Sequence, residues 1–203
     1  MSKKRFDVIV VGELNVDLIL NSIDSFPEMG KEKIAKDMTL TLGSSSAIFA
    51  SNLSALGASV AFVGKIGDDA FGNLVKDSLR SKKVNTDFLI MSKAFSTGAT
   101  IVLNYSDDRA MVTYPGAMED LTIDDINQEI ISLAKHLHFS SYFLQPGIQS
   151  GLLELFKMAK EKNESHCLGG SRDFNKKSRQ KQLNVRRLAL PGETRVLVLG
   201  VGY

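Results

Sequence analysis

The chain has 203 residues, of which 43% are hydrophobic and 24% are charged, enough for a substantial core. No apolar run reaches the roughly 20 residues of a membrane-spanning helix, and the single cysteine, Cys167, excludes an internal disulfide and a cysteine-based metal site. The net charge of +2 combines two unlike parts. Residues 1–164 carry 17 basic and 21 acidic side chains, whereas residues 165–203 carry 8 and 2, a jump that usually marks a boundary.

The N-terminal segment has basic residues before an apolar run, as a signal peptide does. The run is too short and ends at Gly12 and Glu13 without a small-residue cleavage site, so we expect a cytoplasmic protein. Phe6 to Val11 is β-branched and predicts a first, buried parallel strand. Asn15 and Asp17 follow at alternate positions, so they project to one side if the segment stays extended.

Two further regions have β-strand patterns. Ile34 to Leu42 alternates loosely, and Thr97 to Tyr105 and Arg109 to Tyr114 are β-rich arms. A polar turn at 106–108 joins these arms, which predicts a hairpin.

The stretch from residue 42 to residue 72 predicts a turn, a helix, a buried strand, a glycine-rich turn and a second helix. Gly43 is free to adopt unusual backbone angles, and Ser44, Ser45 and Ser46 offer hydroxyl and N–H groups where a helix should begin. Gly57 is a natural residue to end that helix.

Ser59 to Val63 is short and β-rich, and it predicts a core strand. A glycine-rich turn is expected next, made of Gly64, Gly67, Asp68, Asp69 and Gly72. The two aspartates of this turn are expected to cap a helix with an apolar face made of Phe71, Leu74, Val75 and Leu79.

Three later elements are predicted from pattern. Thr122 to Lys135 has acids in its first turn and a lysine in its last, which favours a helix. His136 to Phe139 predicts a strand whose two histidines share a face, and Ser150 to Lys162 predicts another helix. No cysteine or nearby carboxylate completes a metal site beside the histidines, so we expect a structural role for them and no metal.

The order of these residues resembles the PfkB, or ribokinase-like, carbohydrate kinases. GKIGDDAFG is similar to the first signature of that family, LGSSSAIFASNLSALG to its substrate loop and following helix, and VGELNVDLI to its first strand and sugar-binding segment. The resemblance implies an α/β fold, a mostly parallel sheet flanked by helices with a small β-sheet lid from about 17–42 and 97–114. It also implies phosphoryl transfer from ATP, with Mg²⁺, to a sugar hydroxyl.

The resemblance also assigns residues. Asp17 would accept hydrogen bonds from two sugar hydroxyls, with help from Asn15. Gly43 and the backbone amides of Ser44 and Ser45 would bind a further sugar hydroxyl. The alternative for Asp17 is a turn cap. Ser44 stands where many relatives have a second glycine, and Ile48 where they have an asparagine.

Relatives place a further substrate contact near the YFLQPG segment, some with a glutamate where this chain has Gly147. Ribose, fructose, a keto-deoxy sugar acid and a nucleoside all remain open as substrates.

The resemblance stops near residue 163, so we divide the chain into a truncated kinase domain, 1–164, and a basic tail, 165–203. The tail is polar and basic, and we expect it to be disordered or read out of frame. Its basic residues are not interspersed with aromatic residues, so we expect no nucleic-acid partner. We also expect no association with a membrane, because the chain has no long apolar run.

In the family, a Gly-Ala-Gly-Asp motif near the C-terminus supplies the catalytic base and a phosphate-binding helix start. The one Gly-x-Gly here, at 200–202, is followed by Tyr203. We therefore assign no catalytic residue and expect no productive binding of ATP and Mg²⁺ by this chain. The alternatives are a non-catalytic sugar-binding fragment, a homodimer formed through the lid, and a chain that does not fold stably because one sheet edge is left unpaired.

Overall fold

A computed structural model describes residues 4–161 and the backbone of residues 165–168. Its main sheet has five parallel strands. In their order across the sheet, these are β5 (Leu89–Ser92), β4 (Val60–Gly67), β1 (Phe6–Val11), β8 (Ala134–Phe139) and β9 (Ser165–Leu168). The helices are α1 (Ser45–Ala55), α2 (Ala70–Ser81), α3 (Gln128–Ile131), α4 (Pro146–Gln149) and α5 (Leu152–Glu161).

The main sheet is buried on both faces, as expected of parallel strands covered by helices. On one face, Ile9 and Leu137 pack with Phe156 of α5. On the other face, Val10 and Phe62 pack with side chains of α1 and α2. These two layers confirm the predicted α/β architecture with helices on both sides of the sheet.

A second sheet has four strands in the order β3-β2-β6-β7, namely β3 (Asp37–Leu42), β2 (Asn15–Asn21), β6 (Gly98–Asn104) and β7 (Arg109–Tyr114). Strands β2 and β6 are parallel, and the outer pairs are antiparallel. These four strands lie within the two ranges predicted for a lid except for Asn15 and Val16, with which β2 begins, and we call them the lid sheet.

The two faces of the lid sheet differ in chemistry. The pairing register puts one polar set on the same face, made of Asn15, Asp17, Thr41, Thr100 and Thr113. The opposite face carries an apolar set, made of Leu18, Met38, Leu40, Ile101, Val112 and Tyr114. Met38 and Val112 on that face are 67% and 65% exposed.

The helix predicted over Thr122 to Lys135 is wrong. A 3₁₀ turn at Ile123–Asp125, the short α3 and the start of β8 occupy that range. Asp125 closes a capping box with Thr122 and also accepts a hydrogen bond from Lys65 at 3.0 Å, which fixes a turn where a helix would continue. Lys135 lies on β8, where it pairs with Asp7 instead of ending a helix.

The glycine-rich turn is also shorter than predicted, because β4 continues through Gly64 to Gly67. A Cβ on Gly64 would lie 2.8 Å from the Gly12 carbonyl oxygen, and one on Gly67 would lie 2.6 Å from the Thr97 nitrogen. These glycines permit close approach of neighbouring backbones rather than a change of direction.

The helix predicted over residues 150–162 is present as α5, which begins later than predicted, at Leu152. Helix α4 ends at Gln149 and α5 begins at Leu152, and between them Gly151 lies against Ile123. Strand β9 follows the boundary predicted at 164, so the parallel sheet continues beyond it. The rest of the predicted tail, 169–203, lies outside the described residues. Within the described part, no helix has the length and hydrophobicity needed to cross a bilayer.

Candidate functional site

The polar residues singled out in the sequence meet near the carboxyl ends of the parallel strands. The chain leaves β1, forms part of the lid sheet and returns through α1 to β4 on one side of β1, whereas β8 lies on the other side. In open α/β sheets, ligands bind outside the carboxyl ends of the strands at such a reversal of strand order. The segments at this edge are 12–15, 43–46 and 140–141.

Asn15, Asp17 and Gly43 lie together at this edge. The Asn15 amide donates to Asp17 Oδ1 at 2.9 Å and to Thr100 Oγ1 at 3.1 Å, and the Gly43 N–H donates to the Asn15 carbonyl at 3.0 Å. A Cβ on Gly43 would overlap Asp17 Oδ1 and approach the Asn15 amide nitrogen to 2.6 Å. A side chain at position 43 would therefore displace both of its neighbours.

Asp17 is half-buried, and removal from water raises the pKa of its carboxyl. The hydrogen bond from Asn15 and the positive charge of Arg109 oppose that rise without cancelling it. Asp17 Oδ2 accepts no hydrogen bond from residues 4–161, so it is available to a ligand. The arrangement is a carboxylate held in place through one oxygen.

Helix α1 begins at Ser45 with Ser44 as its cap. The Ser44 hydroxyl accepts from the Ala47 N–H at 2.9 Å and donates to the Glu13 carbonyl at 2.6 Å. Ser44 has φ of 68°, a left-handed value that favours glycine, and these two hydrogen bonds hold a serine there.

Sequence reasoning missed Glu13, which is only 2% exposed. Its carboxylate accepts from the Ser45 hydroxyl at 2.8 Å, from the Ser46 N–H at 3.2 Å and from the Ser46 hydroxyl. The same two hydroxyls contact Ser141 and Ser140 after β8. The available signal was an acidic residue two positions after a buried strand, together with a run of serines at the start of the first helix.

The predicted signature turn is hydrogen-bonded to the lid sheet through Asp69. Asp69 caps α2 by accepting from the Gly72 N–H at 2.7 Å, and it also accepts from the Thr97 N–H and hydroxyl at 2.7 and 2.8 Å. Burial alone would raise the pKa of Asp69, but these hydrogen bonds outweigh it and lower the pKa. Asp68 is exposed. Asp69 therefore connects α2 to Thr97, the residue just before β6. Strand β6 pairs with β2, which carries Asn15 and Asp17.

A family model described as pfkB family carbohydrate kinase matches residues 5–189. The chain belongs to the PfkB family of carbohydrate kinases. The match includes residues 165–189, part of the segment that the charge change assigned to a tail.

Several PfkB relatives have names that specify a substrate. A 5-dehydro-2-deoxygluconokinase of Mesomycoplasma hyopneumoniae is 30% identical over 159 residues, which are 76% of this chain and 46% of that protein. A ribokinase of Bacillus subtilis is 28% identical over 116 residues, 57% of this chain and 39% of that protein. The chain thus spans less than half the length of these relatives.

Solved structures share the fold. Halothermothrix orenii fructokinase is 27% identical with a TM-score of 0.68, covering 80% of this chain and 56% of that one. Arabidopsis thaliana ribokinase complexed with ribose and ATP is 24% identical with a TM-score of 0.70, covering 81% and 54%. The chain therefore has the ribokinase-like fold predicted from its sequence.

The YFLQPG segment of this PfkB chain is packed against the protein interior at Gln145 and Gly147. Gln145 is fully buried and its amide donates to the Ser140 carbonyl at 2.8 Å. A Cβ on Gly147 would lie 2.6 Å from the carbonyl oxygens of Glu119 and Leu121. The backbone packing at this position leaves no room for the glutamate that some relatives have.

Of the two histidines of β8, His138 is buried and His136 is partly exposed. His138 is buried and stacks on Phe49 with ring centroids 3.9 Å apart, and burial followed by repulsion from His136 lowers the pKa of His138 to about 4. Across the described ranges, no group of three or more His, Cys, Asp or Glu side chains is close enough to hold a metal ion. We assign no described residue to Mg²⁺ or to ATP.

Proposed function

We propose that this chain forms the sugar-binding part of an ATP-dependent sugar kinase. The observation that carries the proposal is the group formed by Asn15, Asp17 and Gly43, which presents a fixed carboxylate at the edge of the sheet where α/β proteins bind ligands. Family membership and relatives named as ribokinase and 5-dehydro-2-deoxygluconokinase support the same assignment.

A sugar presents neighbouring hydroxyls, and a carboxylate accepts hydrogen bonds from two of them. Asn15 fixes Asp17 through Oδ1, which leaves Oδ2 and the outer lone pair of Oδ1 for the sugar. The start of α1 provides N–H donors for a sugar oxygen. Burial that raises the pKa of Asp17 is a cost to folding, which a ligand that hydrogen-bonds the charged form would offset.

The polar face of the lid sheet carries threonines beside Asp17. Thr100 and Thr113 share a hydrogen bond at 3.0 Å, and Thr100 also accepts from Asn15. In the proposal this face covers the sugar and excludes water from the reacting hydroxyl.

When bound, ATP with Mg²⁺ would supply the phosphoryl group and neutralise its charge. The sequence contains no Gly-Ala-Gly-Asp motif, and we attribute to the described residues only the binding and orientation of the sugar. We propose that the 203-residue chain binds a sugar but does not transfer phosphate efficiently. A variant of this proposal is a fragment that pairs through its lid, which the exposed apolar face of the lid sheet favours.

Calorimetric titration of the 203-residue chain with ribose, fructose, a keto-deoxy sugar acid and a nucleoside tests the sugar site. We expect at least one to bind, and Asp17→Asn to weaken that binding at least tenfold. Asp77→Asn, which removes an exposed carboxylate on α2, should leave the affinity unchanged. No binding by the unchanged chain, or equal binding by Asp17→Asn, would reject the proposal. Sugar phosphorylation measured with ATP would reject only the part that concerns transfer.

A further inference from the structure

Glu13 is a buried carboxylate without a basic partner among residues 4–161. Burying a charge is costly unless hydrogen bonds compensate for the lost water. All the compensating donors come from one place, the first turn of α1, through the Ser45 hydroxyl and both donors of Ser46. The positive end of the helix dipole favours an anion at the same position.

These hydrogen bonds determine which N–H groups at the start of α1 stay available. A helix start leaves four N–H groups without intrahelical acceptors. Here the Ser46 N–H donates to Glu13, and the Ala47 N–H donates to the Ser44 hydroxyl. Neither the Ser44 N–H nor the Ser45 N–H has an acceptor in the described part of the chain. Both belong to residues that follow Gly43 directly.

The same network connects three segments that meet at this edge. Ser46 bridges Glu13, after β1, to Ser140, after β8, and Ser45 bridges Glu13 to Ser141. Ser141 has φ of 57°, so the backbone after β8 is in a conformation that needs local support.

We infer that Glu13 is a positioning residue for the sugar site. It fixes the first turn of α1 so that the Ser44 and Ser45 N–H groups face outward to a sugar oxygen, next to the carboxylate of Asp17. The inference rests on the proposed function, since it gives these two N–H groups a ligand. It assigns Glu13 no contact with the sugar.

A role in stability alone predicts a different result from a positioning role. Methionine is close to glutamate in size but accepts no strong hydrogen bond, and a buried donor left without an acceptor costs about 1–3 kcal/mol. Glu13→Met removes the carboxylate acceptors of Ser45 and Ser46. The two serine hydroxyls keep Ser141 and Ser140 as partners, whereas the Ser46 N–H loses its acceptor. Glu13→Gln keeps a carbonyl oxygen for the Ser45 hydroxyl and the Ser46 N–H, and its amide can donate to the Ser46 hydroxyl.

The test combines hydrogen exchange at residues 43–49, sugar affinity by calorimetry and thermal unfolding, all on the 203-residue chain. In Glu13→Met we expect at least tenfold faster exchange at the Ser46 and Ala47 amides and at least tenfold weaker sugar binding. In Glu13→Gln both quantities should stay within threefold. Asp7→Asn removes a carboxylate from the other end of β1 and should change neither quantity.

Unchanged exchange at these amides in Glu13→Met would overturn the inference whether or not a sugar binds. Equal losses in Glu13→Met and Glu13→Gln would also overturn it, because the hydrogen-bond geometry would then not matter. If Glu13→Met does not fold, Ser46→Ala replaces it and should accelerate exchange at Ala47, with unchanged exchange overturning the inference. A chain that binds no sugar would reject the proposed function, while the exchange comparison would still decide whether Glu13 fixes the first turn of α1.

Discussion

Two aspartates, Asp17 within the lid sheet and Asp69 next to it, have opposite environments. Asp69 accepts three hydrogen bonds from Gly72 and Thr97, and its pKa is lowered, whereas Asp17 accepts one from Asn15 and its pKa is raised. A carboxylate that is fully hydrogen-bonded within the protein contributes to stability and has little capacity left for a ligand. The difference separates a residue that holds the lid sheet in place from one that is available to bind.

The largest effect on stability should come from Asp69→Ala. The substitution removes the cap of α2 and the two hydrogen bonds that Asp69 accepts from Thr97. A helix cap contributes about 1 kcal/mol and hydrogen bonds to a charged group about 1.5 kcal/mol or more. We therefore expect the free energy of unfolding to fall by about 2–3 kcal/mol. Urea unfolding measures it. Asp68→Ala, at the exposed neighbour, should change the free energy by less than about 0.5 kcal/mol. Similar losses in both variants would contradict a specific role for Asp69.

Gly43→Ala tests the close packing of the proposed sugar site. The added Cβ would overlap the Asp17 carboxylate and crowd the Asn15 amide, so we expect at least tenfold weaker sugar binding and a loss of about 1–3 kcal/mol in stability. Gly57→Ala is the matched control, because Gly57 has φ of 96° but no atom near the added Cβ. It should cost stability through its backbone and leave sugar affinity unchanged. Unaltered affinity in Gly43→Ala would contradict the proposed site.

A smaller effect is expected at Ser44, where backbone strain and hydrogen bonding oppose each other. Ser44→Ala keeps the left-handed backbone and loses the hydroxyl, so it should cost about 1–2 kcal/mol. Ser44→Gly loses the same hydroxyl but relieves the strain, so it should cost about 1 kcal/mol less. Thermal unfolding of the two variants side by side decides this, and a more stable alanine variant would contradict the role given to φ.

Lowering the pH should affect Asp17 before Asp69, because their pKa values are shifted in opposite directions. The pKa of Asp17 lies above its ordinary value of 3.8, so protonation as the pH falls begins earlier than for a free aspartate and removes acceptors for the sugar. The pKa of Asp69 lies below 3.8, so its stabilising contribution is complete above that value and is lost only at lower pH. Sugar affinity should therefore weaken at a pH where circular dichroism still shows a folded chain. Simultaneous loss of both would contradict this separation.

Much of the site was predictable because its residues follow a recognisable order. Asn15 and Asp17 alternate after a buried strand, and Gly43 precedes a run of serines, so their meeting at one edge follows from the fold. Glu13 was not predictable in the same way, because a glutamate is rarely buried and its partners, Ser45 and Ser46, are distant in sequence.

Other errors came from patterns with two physical meanings. Gly64 and Gly67 have the spacing of a turn, but in the structure they permit contact between backbones. Acids at 124–125 suggested a helix start, yet Asp125 pairs with the distant Lys65. In both cases a tertiary contact outweighs the local signal.

A crystal structure of the 203-residue chain with its tightest-binding sugar would test the proposed site most directly. We expect one sugar hydroxyl within about 3 Å of Asp17 Oδ2 and a second sugar oxygen at the Ser44 or Ser45 nitrogen, distances typical of hydrogen bonds. A sugar bound elsewhere, with Asp17 still contacted only by Asn15, would contradict the assignment of this edge of the sheet as the sugar site.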